Sequence, residues 1–382
     1  MAGWLASACL AVLLVMGGCQ GAEAELAQPS PTKPTATDGG EATRTFSKPR
    51  GGECSLELQK DLGGEVWETR STLPCPGPEG LGVVAVGDVG LAGERLQASV
   101  DAIQEVCSQQ PCQFLTIAGD LIYGPGSEAE AVWQGVWDQG LARLGLPSFA
   151  VLGNHEYRHE PQPALKRKAL FASDGRAGLV LPAPAYVARI RRGEKTLLAL
   201  AAIDTDSIAN PGPSMPGAGA ETLEAACSLQ APVLVLGHHP ATSQGRHHSH
   251  EAHVEAAIRK LLTDATGAGC NIVAALAGHD HDLQAYGAGC QEAGMPAVVV
   301  SGVAARGFRA PGPQHLTTCP GSDTSARYHA GPSEDGGFAL LRIHLEDAAG
   351  ETDESQQRQR HQVSLHQVPR GGPTRLLSSI DW

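Results

Sequence analysis

The chain has 382 residues, of which 42% are hydrophobic and 18% charged, so a folded core is expected and wholesale disorder is excluded. Its formal net charge is −13 and it has no block of Lys or Arg, which argues against a nucleic-acid-binding module. Aromatic residues make up only 4%, so Val, Leu, Ile and Ala must build the core.

Residues 4–16 form a short apolar run. It falls well below the roughly 20 residues that span a bilayer and suits the core of a signal peptide instead. The run ends Val15-Met16-Gly17-Gly18-Cys19, and small residues before a cysteine resemble a bacterial lipobox. Residues 1–18 are therefore expected to be a lipoprotein-type signal peptide, with Cys19 carrying the lipid; ordinary secretion is the alternative. Residues 19–50 are rich in Pro, Thr and Gly and should form a disordered tether. The expected location is the bacterial cell envelope, with membrane contact only through the anchor.

Eight cysteines follow the leader and none forms a CxxC pair. That pattern suits disulfides in an oxidising compartment better than a thiolate zinc site. Proximity suggests Cys54–Cys75 and Cys107–Cys112; the other pairings stay open.

From residue 81 short apolar runs alternate with polar turns and helical stretches. The runs cover 83–86, 114–118, 149–152, 196–203, 233–236, 272–277, 297–300 and 338–343. Unbroken runs of this length suit strands covered on both faces. Leu96, Val100, Ile103 and Cys107 repeat at helical spacing, as do Val254, Ala257, Ile258, Leu261 and Leu262. Helices should cover two stacked sheets. Residues 361–366 alternate in polarity and read as one edge strand.

Five of the runs end in Gly followed by a side chain able to bind metal. Gly87-Asp88-Val89-Gly90 follows the first, and Gly119-Asp120-Leu121-Ile122-Tyr123 the second. Gly153-Asn154-His155-Glu156, Gly237-His238 and Gly278-His279-Asp280-His281 follow the others. Strand carboxyl ends are where α/β sheets build sites. The blocks span residues 87–281 and must converge, so the length prior of about two domains gives way to one.

These blocks resemble the purple acid phosphatases, within the calcineurin-like metallophosphoesterases. That family has GDxG, GDxxY, GNH(D/E), VxxH and GHxH in this order. The likeness runs from about Leu81 to Leu345 and is closest to the small tartrate-resistant type. It implies a four-layer α/β/β/α sandwich, with residues 51–382 as a single metallophosphatase domain. It also implies that Asp88, Asp120, Tyr123 and His281 hold one metal. Asp120, Asn154, His238 and His279 would hold the second, with Asp120 as the bridge.

The donor types point the same way. Carboxylates and a phenolate at the first site favour Fe(III), and imidazoles and an amide at the second favour Fe(II), Zn(II) or Mn(II). The implied reaction is hydrolysis of small phosphate monoesters by a metal-bound hydroxide. His155, His247 and His248 are the candidate catalytic residues, and a monomer is expected. A phosphodiesterase or nucleotidase of the same fold is the alternative, as is a non-catalytic iron-binding lipoprotein. The pocket walls would come from loops 157–178, 208–219 and 305–333, in which no specificity is legible.

Overall fold

The computed structural model describes residues 52–382 except 60–61, 78, 211–217, 248–250, 291, 310–318, 320–325, 330 and 346–360. The expected leader, tether and lipidated Cys19 lie outside the described residues, as does His248.

Sixteen strands and six α-helices occur among the described residues. In chain order they begin β1 (Glu53–Gln59), β2 (Trp67–Pro74), β3 (Leu81–Val86), α1 (Glu94–Gln109), β4 (Phe114–Ala118), α2 (Ala129–Val136) and β5 (Ser148–Val151). Next come α3 (Pro163–Phe171), β6 (Leu179–Val180), β7 (Tyr186–Arg192), β8 (Lys195–Ala202), α4 (Thr205–Ala209), α5 (Ala218–Cys227) and β9 (Val233–Leu236). The rest are α6 (Ala252–Gly267), β10 (Ile272–Ala277), β11 (Leu283–Tyr286), β12 (Ala297–Ser301), β13 (Ala326–His329), β14 (Gly336–Ile343), β15 (Gln362–Val368) and β16 (Arg375–Asp381). None of the described helices is long and apolar enough to cross a membrane.

The strands form two sheets, ordered β13-β11-β12-β10-β9-β8-β7-β1-β2 and β16-β15-β14-β3-β4-β5-β6. Strands β8, β9, β10 and β12 are parallel at the centre of the first sheet. Strands β3, β4, β5 and β6 are parallel in the second. Their near-complete burial explains the unbroken apolar runs.

Alternation along β8 shows how the layers stack. Ala199 and Ala201 belong to a cluster with Leu223 and Ala226 of α5 and Val254, Ile258 and Leu262 of α6. Leu198, Leu200 and Ala202 point the other way, into the larger core shared with the second sheet. A strand's period of two sends successive side chains to opposite faces, so one strand serves both layers. Helix α1 packs on β14 and β15, on the outer side of the second sheet. The result is the α/β/β/α arrangement expected from the sequence.

The tail departs from expectation. Strand β15 is not an edge, because it pairs with β14 on one side and β16 on the other. The exposed edge is β16, whose polar, half-exposed sequence gave no strand signal. Four disulfides join Cys54–Cys75, Cys107–Cys112, Cys227–Cys270 and Cys290–Cys319. The first two are the pairs that proximity suggested.

Candidate metal centre

Every sequence-derived block lies just beyond the carboxyl end of its strand. Blocks after β3, β4 and β5 come from one sheet, and those after β9 and β10 from the other. Backbone bonds lock them together. Asp88 N–H donates to Gly119 O at 3.1 Å, and Gly278 N–H donates to His238 O at 3.0 Å.

The backbone is strained where it carries the site. Asp88, Asp120 and His279 have φ of 55°, 50° and 69°, the left-handed region that L-residues rarely adopt. Such strain persists only where surroundings enforce it, and it clusters at functional sites.

The loops also explain two glycines. A Cβ at Gly119 would fall on the His238 ring. A Cβ at Gly90 would lie 2.7–2.9 Å from Ile122 N, Tyr123 N and Asp120 O. Gly90 N–H donates to Asp120 O, and Tyr123 N–H donates back to Gly90 O. This close crossing leaves no room for a side chain at position 90 and aims the Tyr123 ring inward.

Two clusters of donor atoms result. In the first, the Tyr123 hydroxyl lies 2.9 Å from Asp88 Oδ1 and 2.9 Å from Asp120 Oδ2. His281 Nε2 lies 3.0 Å from Asp88 Oδ1. All four residues are buried. Burial, then the charges of Asp120 and Asp88, push the Tyr123 phenol well above its ordinary pKa. Burial alone would raise the Asp88 carboxyl, but the His281 imidazole, together with His238 and His279, outweighs it and holds the acid below the usual carboxylate range. His281 Nδ1 is buried without a hydrogen-bond partner.

In the second cluster His238 Nδ1 lies 2.8 Å from Ala118 O, which can only accept. The proton of the neutral ring is therefore on Nδ1, and Nε2 is a bare lone pair. That lone pair faces Asn154 Oδ1 at 2.7 Å, Asp120 Oδ1 at 3.4 Å and His279 Nδ1 at 3.2 Å. His279 is oriented by its other nitrogen, since Nε2 lies 2.6 Å from Glu251 Oε2. A neutral ring that donates from Nε2 to this carboxylate also presents its Nδ1 lone pair to the cluster. Acceptor atoms converging on one point, away from water, repel unless a cation sits among them. The residues fit a two-metal site with Asp120 shared between the clusters.

The candidate catalytic histidines flank these clusters. The His155 ring packs edge-on against Tyr123, with centroids 4.6 Å apart. Its Nδ1 lies 2.6 Å from Glu160 Oε1, and Glu160 is in turn bound by the buried Lys166 ammonium at 2.9 Å. His155 Nε2 is left facing Asp120 Oδ2 at 3.8 Å. The His247 ring lies 4.5 Å from that of His279, and its backbone N–H donates to Asp280 Oδ1 at 2.9 Å. Burial above all pushes the His247 imidazole down to about 4. The structure thus brings His155 and His247 to the site.

Several supporting residues carried no signal of their own in the sequence. Glu251 stands 13 positions after His238 in a polar stretch, where one acid among many has no distinctive spacing. Glu160 and Lys166 act through His155. Glu156, which closes the third sequence block, accepts from Leu121, Ile122 and Gly153 N–H groups and so ties two of the blocks together. His239 is fully packed, with Nδ1 on Thr205 Oγ1 at 2.9 Å, and its ring nitrogens lie near those of His238 and His279.

Residues 81–283 match the family described as calcineurin-like phosphoesterase. The chain belongs to the calcineurin-like phosphoesterase family. It is therefore a metallophosphoesterase of a family that hydrolyses phosphoesters at a binuclear metal centre. The match covers all five blocks and ends before β12, short of the likeness to Leu345 expected from the sequence. Among solved structures, this phosphoesterase is similar to GAP50, the anchor in the inner membrane complex of Plasmodium. The identity is 14%, covering 78% of this chain and 88% of that one, with a TM-score of 0.53. A dimetal phosphatase from Danio rerio is also similar, at 14% identity over 78% and 98% of the two chains and a TM-score of 0.46. No curated protein sequence matches this chain.

Proposed function

We propose that this phosphoesterase is an acid phosphatase of the purple type, acting on phosphate monoesters. The carrying observation is the Tyr123 hydroxyl, 2.9 Å from each of two buried carboxylates, Asp88 and Asp120. Gly90, which has no room for a side chain, supports the reading by letting the loops cross closely with the Tyr123 ring turned toward the first metal site.

In this reading Asp88, Asp120, Tyr123 and His281 hold Fe(III). Asp120, Asn154, His238 and His279 hold Fe(II), Zn(II) or Mn(II). Two such cations supply Lewis-acid polarisation of the phosphoryl group and lower the pKa of water. The chain's own residues supply position and proton transfer. His155 keeps its Nδ1 proton on Glu160, so Nε2 is the nitrogen that exchanges a proton at the reacting group. The Lys166–Glu160 pair fixes that orientation. His247, beside His279, is the second group placed to bind the phosphoryl oxygens or protonate the leaving alkoxide. His248 keeps the candidate role given by the sequence.

The same proposal places the mature protein at a bacterial cell envelope, anchored through Cys19, as a monomer without a nucleic-acid partner. Four disulfides support an oxidising compartment.

The test combines turnover of chromogenic phosphate monoester and diester substrates with a visible spectrum of the iron-loaded protein. The proposal expects faster monoester turnover and a phenolate-to-iron absorption band that Tyr123→Phe abolishes. A colourless iron-loaded protein, or a preference for the diester, would contradict it.

A further inference from the structure

A lysine is almost never fully buried unless it is paired. Lys166 has no exposed surface, although Leu165 beside it is 42% exposed. Helix α3 turns Lys166 and Leu170, one turn apart, toward the protein, where two apolar side chains would be expected. An apolar side chain of similar size would pack there without the cost of desolvating a charge, so a buried ion pair is a poor device for stability alone.

The contacts of the ammonium point to another use. Its three N–H groups meet three acceptors: Ile122 O, His155 O and Glu160 Oε2, each at 2.9 Å. Ile122 precedes the candidate ligand Tyr123 in the loop after β4, and His155 follows the candidate ligand Asn154 in the loop after β5. One cation thus ties two ligand-bearing loops to each other and to Glu160. Both carboxylate oxygens of Glu160 are engaged, Oε2 by Lys166 and Oε1 by His155 Nδ1 at 2.6 Å. Burial would raise the Glu160 carboxyl, but the hydrogen bonds from Lys166 and His155 outweigh it and hold the acid below its ordinary range. The chain bends sharply to bring Glu160 back to a ring five positions earlier, with left-handed φ of 76° at His159 and 59° at Gln162. Gly126 N–H anchors the far side of the bend on Pro161 O at 2.9 Å, and the His159 ring packs on that of His155 with centroids 5.1 Å apart.

We infer that Lys166 is a positioning residue: through Glu160 and the two carbonyls it holds His155 Nε2 in register with the loop that carries Asp120 and Tyr123. This rests on the phosphatase reading above and deepens it, by assigning the group that sets the geometry of proton transfer. When the P–O bond breaks, the leaving oxygen takes the electron pair and a proton from Nε2, and the ring regains its proton from water. A misplacement of about 1 Å at such a group costs about a hundredfold. A leaving group stable as an anion needs no proton, so the loss should be felt where the leaving oxygen is basic.

The test uses the metal-loaded full chain and its Lys166→Met, Glu160→Gln and His155→Ala variants. Turnover of p-nitrophenyl phosphate, whose leaving group needs no proton, is compared with that of glycerol phosphate, whose alkoxide does. In Lys166→Met, kcat for glycerol phosphate should fall about 10–100-fold with KM little changed, and kcat for p-nitrophenyl phosphate should fall much less. Added to His155→Ala, Lys166→Met should cost nothing further, because it acts through that ring. An amide offers one acceptor to two donors, so Glu160→Gln should repeat the pattern, and it keeps the test if Lys166→Met does not fold. Proton NMR of the zinc-loaded chain reads the same brace without turnover. The His155 Nδ1–H should give a far-downfield line that shifts or weakens in Lys166→Met and Glu160→Gln and is absent from His155→Ala. An equal loss on both substrates that adds to His155→Ala, or a downfield line unchanged in both variants, would overturn the inference, as would a loss of bound metal that accounts for the lost turnover. A protein inactive on both substrates would overturn the phosphatase reading, while the proton line would still decide this one.

Discussion

The parallel centres of the two sheets and their antiparallel margins are built to different ends. In the centres β3, β4, β5, β9 and β10 are buried throughout, and each runs into a ligand-bearing loop. Three non-glycine residues there hold left-handed backbone. In the margins β14 is buried throughout, β2 and β16 are largely exposed or half-buried, β1 and β15 lie between, and none contributes a candidate ligand. They close the sandwich, and Cys54–Cys75 ties the β1–β2 pair. Of the seven left-handed non-glycine residues described, three carry candidate ligands and none lies in these margin strands.

That contrast can be broken from either side. The largest effect should come from Asp120→Asn, which weakens the acceptor shared by both clusters. It should lower turnover by more than about a hundredfold, beyond the loss of an outer partner, and reduce bound metal. Retained activity with two tightly bound ions would remove Asp120 from its bridging place. Next comes Glu251→Gln, which deprives His279 of the carboxylate that orients it. One of the two ions should become about 10–100-fold easier to strip with chelator. Equal stripping curves for variant and wild type would make Glu251 a bystander.

The margin should behave differently. Replacing Cys54 and Cys75 together by Ser opens a linkage across 21 positions and should cost about 2–4 kcal/mol in unfolding free energy. Metal stoichiometry should stay at the wild-type value; a parallel loss of metal would show that margin and centre are not separable.

The smallest effect is set by pH. Burial holds the His366 imidazole on β15 down to about 4, and its ring stacks on Phe338 at 4.8 Å. A depressed histidine favours the neutral form in the fold. Its contribution is present above the unfolded value near ~6.5 and is lost as pH falls toward about 4. His366→Gln should therefore flatten the drop in melting temperature across that window. A variant with the same acid slope as the wild type would discount the histidine.

The same contrast explains what was legible in the sequence. Strands covered on both faces show as apolar runs, so β3, β4, β5, β8, β9, β10, β12 and β14 could be read directly. Gly-rich turns after five of them announced the ligands. Strands β1, β2, β7 and β16 mix polar and apolar residues with no long apolar run, and β11 and β13 are only four residues each. The Cys227–Cys270 and Cys290–Cys319 pairs depend on which strands lie side by side, at separations of 43 and 29, and proximity could not supply them. Glu251 and Glu160 act through neighbours brought in by the fold. Their spacing in the chain carries no trace of that.

The central claim is that the converging acceptors of Asp88, Asp120, Tyr123, Asn154, His238, His279 and His281 form a two-metal centre. Titrating chelator-stripped protein with a divalent ion, with calorimetry and metal analysis of the product, tests it most directly. The account predicts saturation at two ions per chain, falling in Asp120→Asn. No saturable binding, or saturation at one ion unaffected by Asp120→Asn, would contradict it.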